Sequence, residues 1–573
     1  MLTVVGLMTA MLSTVPTPAT ATTLHVDCDA GDSLQSAIGS AAANSTISVA
    51  GTCFGNFTVD HPLTIQGDPT ATLDGDDAGI VVRILVTPAP GVRLSHLLVT
   101  GGWACQGGGV NVSDNGSVTL DHVTVKGNVA DGTCATGGGQ ALGGGIRGGE
   151  GADLTLIDSA LVDNIAHATG NGSFAYGGGM KAEGPLTLIR TVVRGNRAVA
   201  VSSGGACEAR GGGIYLNGFE AVLRSSSIEG NRAFAGPGTA TAVGGGIATE
   251  NDMTLNRTTI VDNVASASGT TATARGGGFG QRSNADTTFI SSHIDANTAV
   301  ASGAAFASAS GGGVYQLAKP LSLSKVTVDG NLASAGSAQG ASATGGGVAA
   351  GGALSATAST VSRNAVQSSA HSAQIAEAFG GGLDLGGADA STIQNSTVAS
   401  NSIHADSFQG SVDAGGGGIL AGGGSLLVKA STVARNAAGG AAANVGVDGG
   451  GIRQQGGPVT LTDTILTLNT APPPGSGPNC AGSVSSGGHD LLGSLSGCTF
   501  ANTPTDQLNV SSPGLKALAS NGGPTQTIAL LKTSPAVDKI PAAACPFTVD
   551  QRGVLRPQPR NGRCDVGAYE LKV

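Results

Sequence analysis

An all-β chain wound as a right-handed parallel β-helix is the fold class this sequence predicts, and three recurring features predict it. Glycine triplets end at Gly109, Gly145, Gly179, Gly213, Gly246, Gly278, Gly313, Gly347, Gly382, Gly418 and Gly451, a spacing of 32 to 36 residues and about 34 on average. One apolar residue follows each triplet at fixed register: Val110, Ile146, Met180, Ile214, Ile247, Phe279, Val314, Val348, Leu383, Ile419 and Ile452. Each repeat then carries an asparagine after two short β-branched runs: Asn128, Asn164, Asn196, Asn231, Asn263, Asn297, Asn331, Asn364, Asn401, Asn436 and Asn469. A fixed period in this range indicates one solenoid, where 573 residues of ordinary sequence would suggest several domains. Three short strands fit in each repeat with no helix between them, so neighbouring copies are expected to stack in parallel.

Composition agrees with an ordered repeat. Ninety-six glycines, 12% charged residues and 3% aromatics would suit disorder, but the 40% apolar residues are regularly placed. The net charge of −10 is spread along the chain with no basic block, which argues against a nucleic-acid partner.

Residues 1–21 hold a short apolar run and the segment Ala19-Thr20-Ala21, the pattern of a secretion signal, though no Lys or Arg precedes the run. No later stretch has the roughly 18 consecutive apolar residues of a membrane helix. Residues 22–100 form an N-terminal cap and the first coils. Within them Asp32–Ala43 predicts a short capping helix, with Asp32 as N-cap and Leu34, Ala37, Ile38 and Ala41 on one face. Residues 101–470 are the glycine-led coils. Their strands are pieces such as LTL at 154–156 and STV at 396–398, and the asparagines are expected at turns, where this residue tolerates the left-handed conformation. Each repeat is longer than three strands require. The surplus lies in Ala/Ser/Gly/Thr-rich tails such as VASASGTTATAR at 264–275, expected as loops protruding along one edge, with the glycines as flexible re-entry into the next buried strand. Residues 471–573 change composition and are expected to cap the open strand edges.

Nine cysteines fit an oxidising compartment. Cys28/Cys53, Cys105/Cys134, Cys480/Cys498 and Cys545/Cys564 are near in sequence and could each close a short loop, leaving Cys207 over. The connectivity stays open at this level.

The C-terminal stretch is the most specific. Asn521-Gly522-Gly523-Pro524-Thr525-Gln526-Thr527, Ser534-Pro535-Ala536-Val537-Asp538, Asp550-Gln551-Arg552-Gly553, Arg556-Pro557 and Cys564-Asp565-Val566-Gly567-Ala568-Tyr569-Glu570 resemble the C-terminal region of bacterial choice-of-anchor Q secreted proteins, across roughly residues 478–571. The coils are similar to the β-helix repeats of polymorphic outer-membrane-protein-like adhesins. The resemblance implies an exported β-helix at the cell surface or in the medium, with no established enzymatic activity. A sorting module often follows the last motif in that group; here Leu571-Lys572-Val573 follow, which counts against an anchor in this chain.

The rival expectation is a polysaccharide lyase or glycoside hydrolase acting on an acidic polymer. Such a site needs two or three carboxylates on neighbouring coils, and at like register only Asp295 and Asp329 are adjacent. Asp74-Gly75-Asp76-Asp77 could hold a cation but has the composition of a turn, and His371 and His489 have no companions at ligand spacing. The pattern therefore names no catalytic residue, metal site or cofactor. The residue after each buried apolar position should point outward by strand alternation, which puts Arg147, Lys181 and Tyr215 on successive coils and Tyr315 and Arg453 further along. A basic row with aromatics suits an acidic glycan, so these five residues are the candidate ligand site. The expectation is an extracellular, adhesin-like or structural monomer with a polysaccharide ligand.

Overall fold

The structure, a computed structural model, describes residues 21–87, 91–134, 139–371, 375–442, 444–471 and 476–572. The proposed signal segment therefore lies outside the described residues, apart from Ala21.

The chain is a parallel β-helix. Ile146 stands opposite Met180, Met180 opposite Ile214 and Ile214 opposite Ile247, one coil apart each time. This first wall is joined by a second, in which Leu154, Leu186, Ala221 and Met253 stack. A third stacks Leu161, Val193, Ile228 and Ile260. The apolar residues after the glycine triplets are fully buried from Val110 to Ile452. They meet the inward Leu, Val and Ile of the other two walls in one continuous core.

The tails form strands rather than loops. Arg197–Val201 and Ala206–Arg210 are two strands in one tail, and each pairs in parallel with its counterpart in the next coil. VASASGTTATAR is a single strand, Val264–Arg275. Stacked coil upon coil, the tails build a two-faced fin along the body. Its core is almost entirely alanine: Ala198, Ala200, Ala209, Ala233, Ala235, Ala265, Ala267, Ala272 and Ala274 are each at most 2% exposed. Alternation places these methyl groups inward on both faces, and side chains that small let the two faces approach more closely than the ordinary ~10 Å sheet separation. Cys207 takes one of these inward positions opposite Ala240 and is a buried free thiol.

Sharp corners separate the second wall from the third and the third wall from the fin, and these two use different devices. Between second and third walls a residue with positive φ (Asp158, Arg190, Ser225, Arg257) precedes a Ser or Thr whose hydroxyl caps the adjacent coil. Ser159 accepts from the Val123 amide, and Ser226 from that of Thr191. Between third wall and fin stands the asparagine ladder, fully buried from Asn128 to Asn436. The Asn164 Nδ2 donates to Asn196 Oδ1 at 2.9 Å, and the Asn164 amide donates to that same oxygen at 3.0 Å. The bonding repeats coil by coil and runs on to Asn479. The left-handed residue expected at the asparagine is the one before it: Gly127, Asp163, Gly195, Gly230 and Asp262 have positive φ. The asparagine keeps its side chain aligned for the ladder, and the preceding residue takes the backbone strain.

The glycine triplets mark where the fin rejoins the body. Their first glycine has φ near +60°, as at Gly177 with φ +66°. At the second, Gly178, a Cβ would lie 2.3 Å from both Arg197 C and Gly212 O. At the third, Gly179, it would lie 2.7 Å from Gly213 O and 3.0 Å from the Asn196 side chain. The incoming and outgoing chains of the fin cross here in contact, so glycine serves close approach rather than flexibility.

Both ends are closed. Helix Leu34–Ser40 buries Leu34 and Ile38 over the first coil, and its N-cap is Ser33, one residue after the expected Asp32. Gln35 also bonds the exposed edge, donating to Thr58 O and accepting from the Thr58 amide. The C-terminal region does more than cover the end. It folds back along the third wall, where Ala399 and Ala434 pack against Ile528 and Thr432 bonds the Ala568 amide. Three predicted disulfides are present: Cys28–Cys53, Cys480–Cys498 and Cys545–Cys564. The side chain of Cys134 lies outside the described residues, so the Cys105/Cys134 pairing is not described.

Candidate functional site

The predicted row exists in the expected register, with Asn111, Arg147, Lys181 and Tyr215 as successive partners in the first wall. It also begins one coil earlier, because Arg83 is the partner of Asn111. The outer face of this wall does not look into open solvent, however. One face of the fin folds against it, so the row is the floor of a re-entrant corner.

Within that corner most of the row is engaged by partners from the fin and from the ends of its own strands. Lys181 is only 6% exposed and its Nζ lies 2.7 Å from Glu183. Burial pulls the Lys181 ammonium below its ordinary pKa, opposed by the Glu183 carboxylate. Tyr215 is 4% exposed; its hydroxyl accepts from Arg210 at 2.9 Å and donates to Glu250 at 3.1 Å. Burial raises the Tyr215 phenol and pushes that of neighbouring Tyr176 up to about 12. The Arg210 guanidinium also lies over both the Tyr176 and Tyr215 rings and bonds Glu208, which bonds Arg282 in turn. The charged ends of this cluster satisfy one another, although the buried Arg210 Nε is left without a partner. Tyr315 carries Arg275 5.3 Å from its ring centroid. Arg453 lies over Phe379 and pairs with Asp413 at 2.6 Å and Asp448 at 3.1 Å. Three of the five candidate residues are thus neutralised by carboxylates or buried, for a reason strand alternation does not reveal: the tails that supply the partners are sheet, not loop.

Arg147 differs. Its nearest carboxylate is Glu183 at 3.7 Å, already held by Lys181, and its Nε is buried without a hydrogen-bond partner. It lines a cavity of about 640 Å³ at the beginning of the fin, with Arg83, Asn111, Gln106, Ile80 and Trp103. Trp103 is the only tryptophan in the chain and is 49% exposed. Its backbone forms a two-bond bridge with Gly79, which fixes the residue at the cavity wall. Sequence reading missed this residue because it lies outside the repeating register.

Asp295 and Asp329 are direct partners on the third wall. Asp329 is held by Arg363 and Ser362, at 2.7 and 2.8 Å. Burial, reinforced by the Asp329 charge, pushes Asp295 up to about 7, and its Oδ1 has no hydrogen-bond partner. The Asp74 turn uses its carboxylate internally, accepting from the Asp76 amide. Among the described residues one further group could present metal-ligand atoms together, Asp121, His122 and Asp158, but Arg93 and Arg190 already pair with its two carboxylates.

The C-terminal motif residues are tied up in structure. Arg552 donates through Nε and Nη2 to one Asp550 oxygen, at 2.9 and 2.6 Å, and lies 3.5 Å from the Tyr569 ring centroid. Glu570 accepts from the amides of Gln558 and Asp565, and Arg556 donates to two carbonyls of the final turn. Gln551 reaches out of this knot onto the solenoid, donating to Thr360 at 2.8 Å and accepting from Thr397 at 2.6 Å. Those motifs close the C-terminal module and dock it.

No protein-family model matches this chain, and no curated protein matches it.

Proposed function

We propose that this is an exported, non-catalytic β-helix that works outside the cell or at its surface as an adhesin-like or structural element and binds polysaccharide. The observation that carries this reading is the corner between first wall and fin. It lines up Arg83, Asn111, Arg147 and Trp103 around one recess at the beginning of the fin. Two guanidinium groups and an exposed indole face in one recess suit an end or short stretch of an acidic sugar chain. The disulfides are compatible with an oxidising compartment, and no helix among the described residues is long and apolar enough to cross a membrane. The C-terminal resemblance to choice-of-anchor Q proteins points the same way, and the capping of both ends favours a monomer.

The test is a glycan array probed with the full chain, together with assays for reducing ends and unsaturated products on uronate polymers. Binding without product release is the expected outcome; absence of binding across the array would refute the reading. The alternative, a lyase or hydrolase, draws on the Asp295/Asp329 pair, two carboxyl groups at like register on neighbouring coils with Asp295 pushed up to about 7. Product release abolished by Asp295→Asn would establish it.

A further inference from the structure

We infer that the cavity at the start of the fin is a binding site for an anionic oligosaccharide, seated on Trp103 and held through its acidic group by Arg83 and Arg147. This rests on the polysaccharide-binding reading above and assigns it a place and a ligand class.

Four observations carry the assignment. The cavity, about 640 Å³, lies within the roughly 300–1,000 Å³ range of small-ligand sites. Its aromatic wall is a half-exposed indole that takes no part in either core, although burial is the usual state of so large an apolar ring. Arg83 is exposed and without a carboxylate partner among the described residues, while Arg147, Lys181 and Arg453, the other cationic members of the row, each have a carboxylate within reach. Arg147 leaves a buried Nε–H unsatisfied, as Arg210 and Arg556 also do, but it alone of the three lines this cavity, where a ligand could accept from it.

The chemistry follows from these parts. Two guanidinium groups one coil either side of Asn111 concentrate positive charge in a chain of net charge −10, and their planar forks match a carboxylate or sulfate. The indole face suits the C–H face of a pyranose ring. The side-chain amides of Asn111 and Gln106 can bond neutral hydroxyls, although the Asn111 amide also donates to the Gln106 carbonyl at 3.2 Å. Charge selects the acidic sugar, and the ring plate selects a sugar over a free anion. Beyond the cavity, the corner is blocked by the self-paired Arg210–Tyr215–Glu250 cluster, so the site takes a chain end or a short oligomer.

Because Trp103 is the only tryptophan, its fluorescence reports occupancy of this site and no other. The experiment titrates the full chain with an oligogalacturonate, a sulfated oligosaccharide and a neutral cello-oligosaccharide, following emission and heat in parallel. We expect saturable emission changes with one or both acidic ligands, at least tenfold weaker binding of the neutral one, and at least tenfold weaker acidic binding in Arg83→Ala. Circular dichroism and Tm of Arg83→Ala should match wild type. Acidic binding seen by heat, with unchanged emission and full affinity in Arg83→Ala, would place the ligand elsewhere; that outcome overturns this site and leaves the polysaccharide-binding reading standing. Equal affinity for neutral and acidic oligomers would overturn the ligand class. Failure of every glycan here and on the array would remove both.

Discussion

Body and fin share one chain, one period and one parallel register, yet they are built on opposite packing rules. The body encloses Leu, Ile, Val and Phe, including Phe279 and Phe289 in edge-to-face contact 5.3 Å apart. The fin encloses alanine. A wide core is stabilised by large apolar area per residue, at roughly 25 cal/mol per Å², whereas a methyl-lined core gains little per side chain and depends on close, repetitive contact and on stacked backbone hydrogen bonds. The difference teaches that residues of weak individual preference become sheet when each has a copy above and below to pair with.

The neck joining the two regions should be the most sensitive place. Gly312→Ala would set a Cβ 2.3 Å from Gly346 O, and we expect more than about 4 kcal/mol of destabilisation, seen as loss of soluble protein. In the fin, Gly336 has nothing within 4 Å, and Gly336→Ala should be neutral or stabilising by about 0.5 kcal/mol in the same assay. The two cores should respond with opposite sign to size. Phe289→Ala should cost about 3–5 kcal/mol by leaving a cavity in the body, read by denaturant unfolding. In the fin, Ala301→Leu should cost about 3 kcal/mol by overpacking, with lowered hydrogen-exchange protection confined to the tails. If Ala301→Leu is tolerated, the narrow-core account fails.

Gln551→Ala removes the side chain that bridges the C-terminal module to Thr360 and Thr397, and should weaken docking by about 2 kcal/mol, detected as faster proteolytic release of the module. A pH effect comes next. The Asp295 carboxyl, facing Asp329, Arg363 and His293, titrates near 7 when folded against 3.8 as its ordinary value. The folded state therefore holds this proton longer than the unfolded chain, so its contribution to stability falls as pH climbs from about 4 to about 7 and is flat above. Asp295→Asn should gain on the order of 1 kcal/mol at pH 8 and nothing at pH 4, after allowance for solvent screening. An effect as small as that at Gly336 should come from Cys207→Ala, which replaces a buried thiol with the residue used at equivalent fin positions: within about 0.5 kcal/mol in thermal unfolding.

The C-terminal module illustrates what could be read and what could not. Its motifs stood out in the sequence, but their partners did not. In hindsight the third wall carries a signal: outward positions pass from Glu229, Asp295 and Asp329 to Ser362, Ala399 and Ala434 where the module covers them. Small uncharged residues at a nominally solvent-facing register mark a covered face. The ligand row was legible as a register and misjudged as a surface. Glu208, Arg210 and Asp413, the partners that occupy it, lie in tails whose Ala/Ser/Gly composition gave no sign of strand.

What the sequence determined by itself was the winding of the body. A period of 32 to 36 residues with one buried apolar position and one asparagine per repeat leaves parallel stacking as the arrangement in which like meets like, and the asparagine ladder fixes the register. Only the tertiary structure decided the fin, the corner beside it and the docking of the C-terminal module. Each depends on contact between segments that are far apart in sequence or without intrinsic preference of their own. Such contacts exist only once the coils are stacked, because the stack supplies the hydrogen-bond partners that turn an alanine-rich tail into a strand.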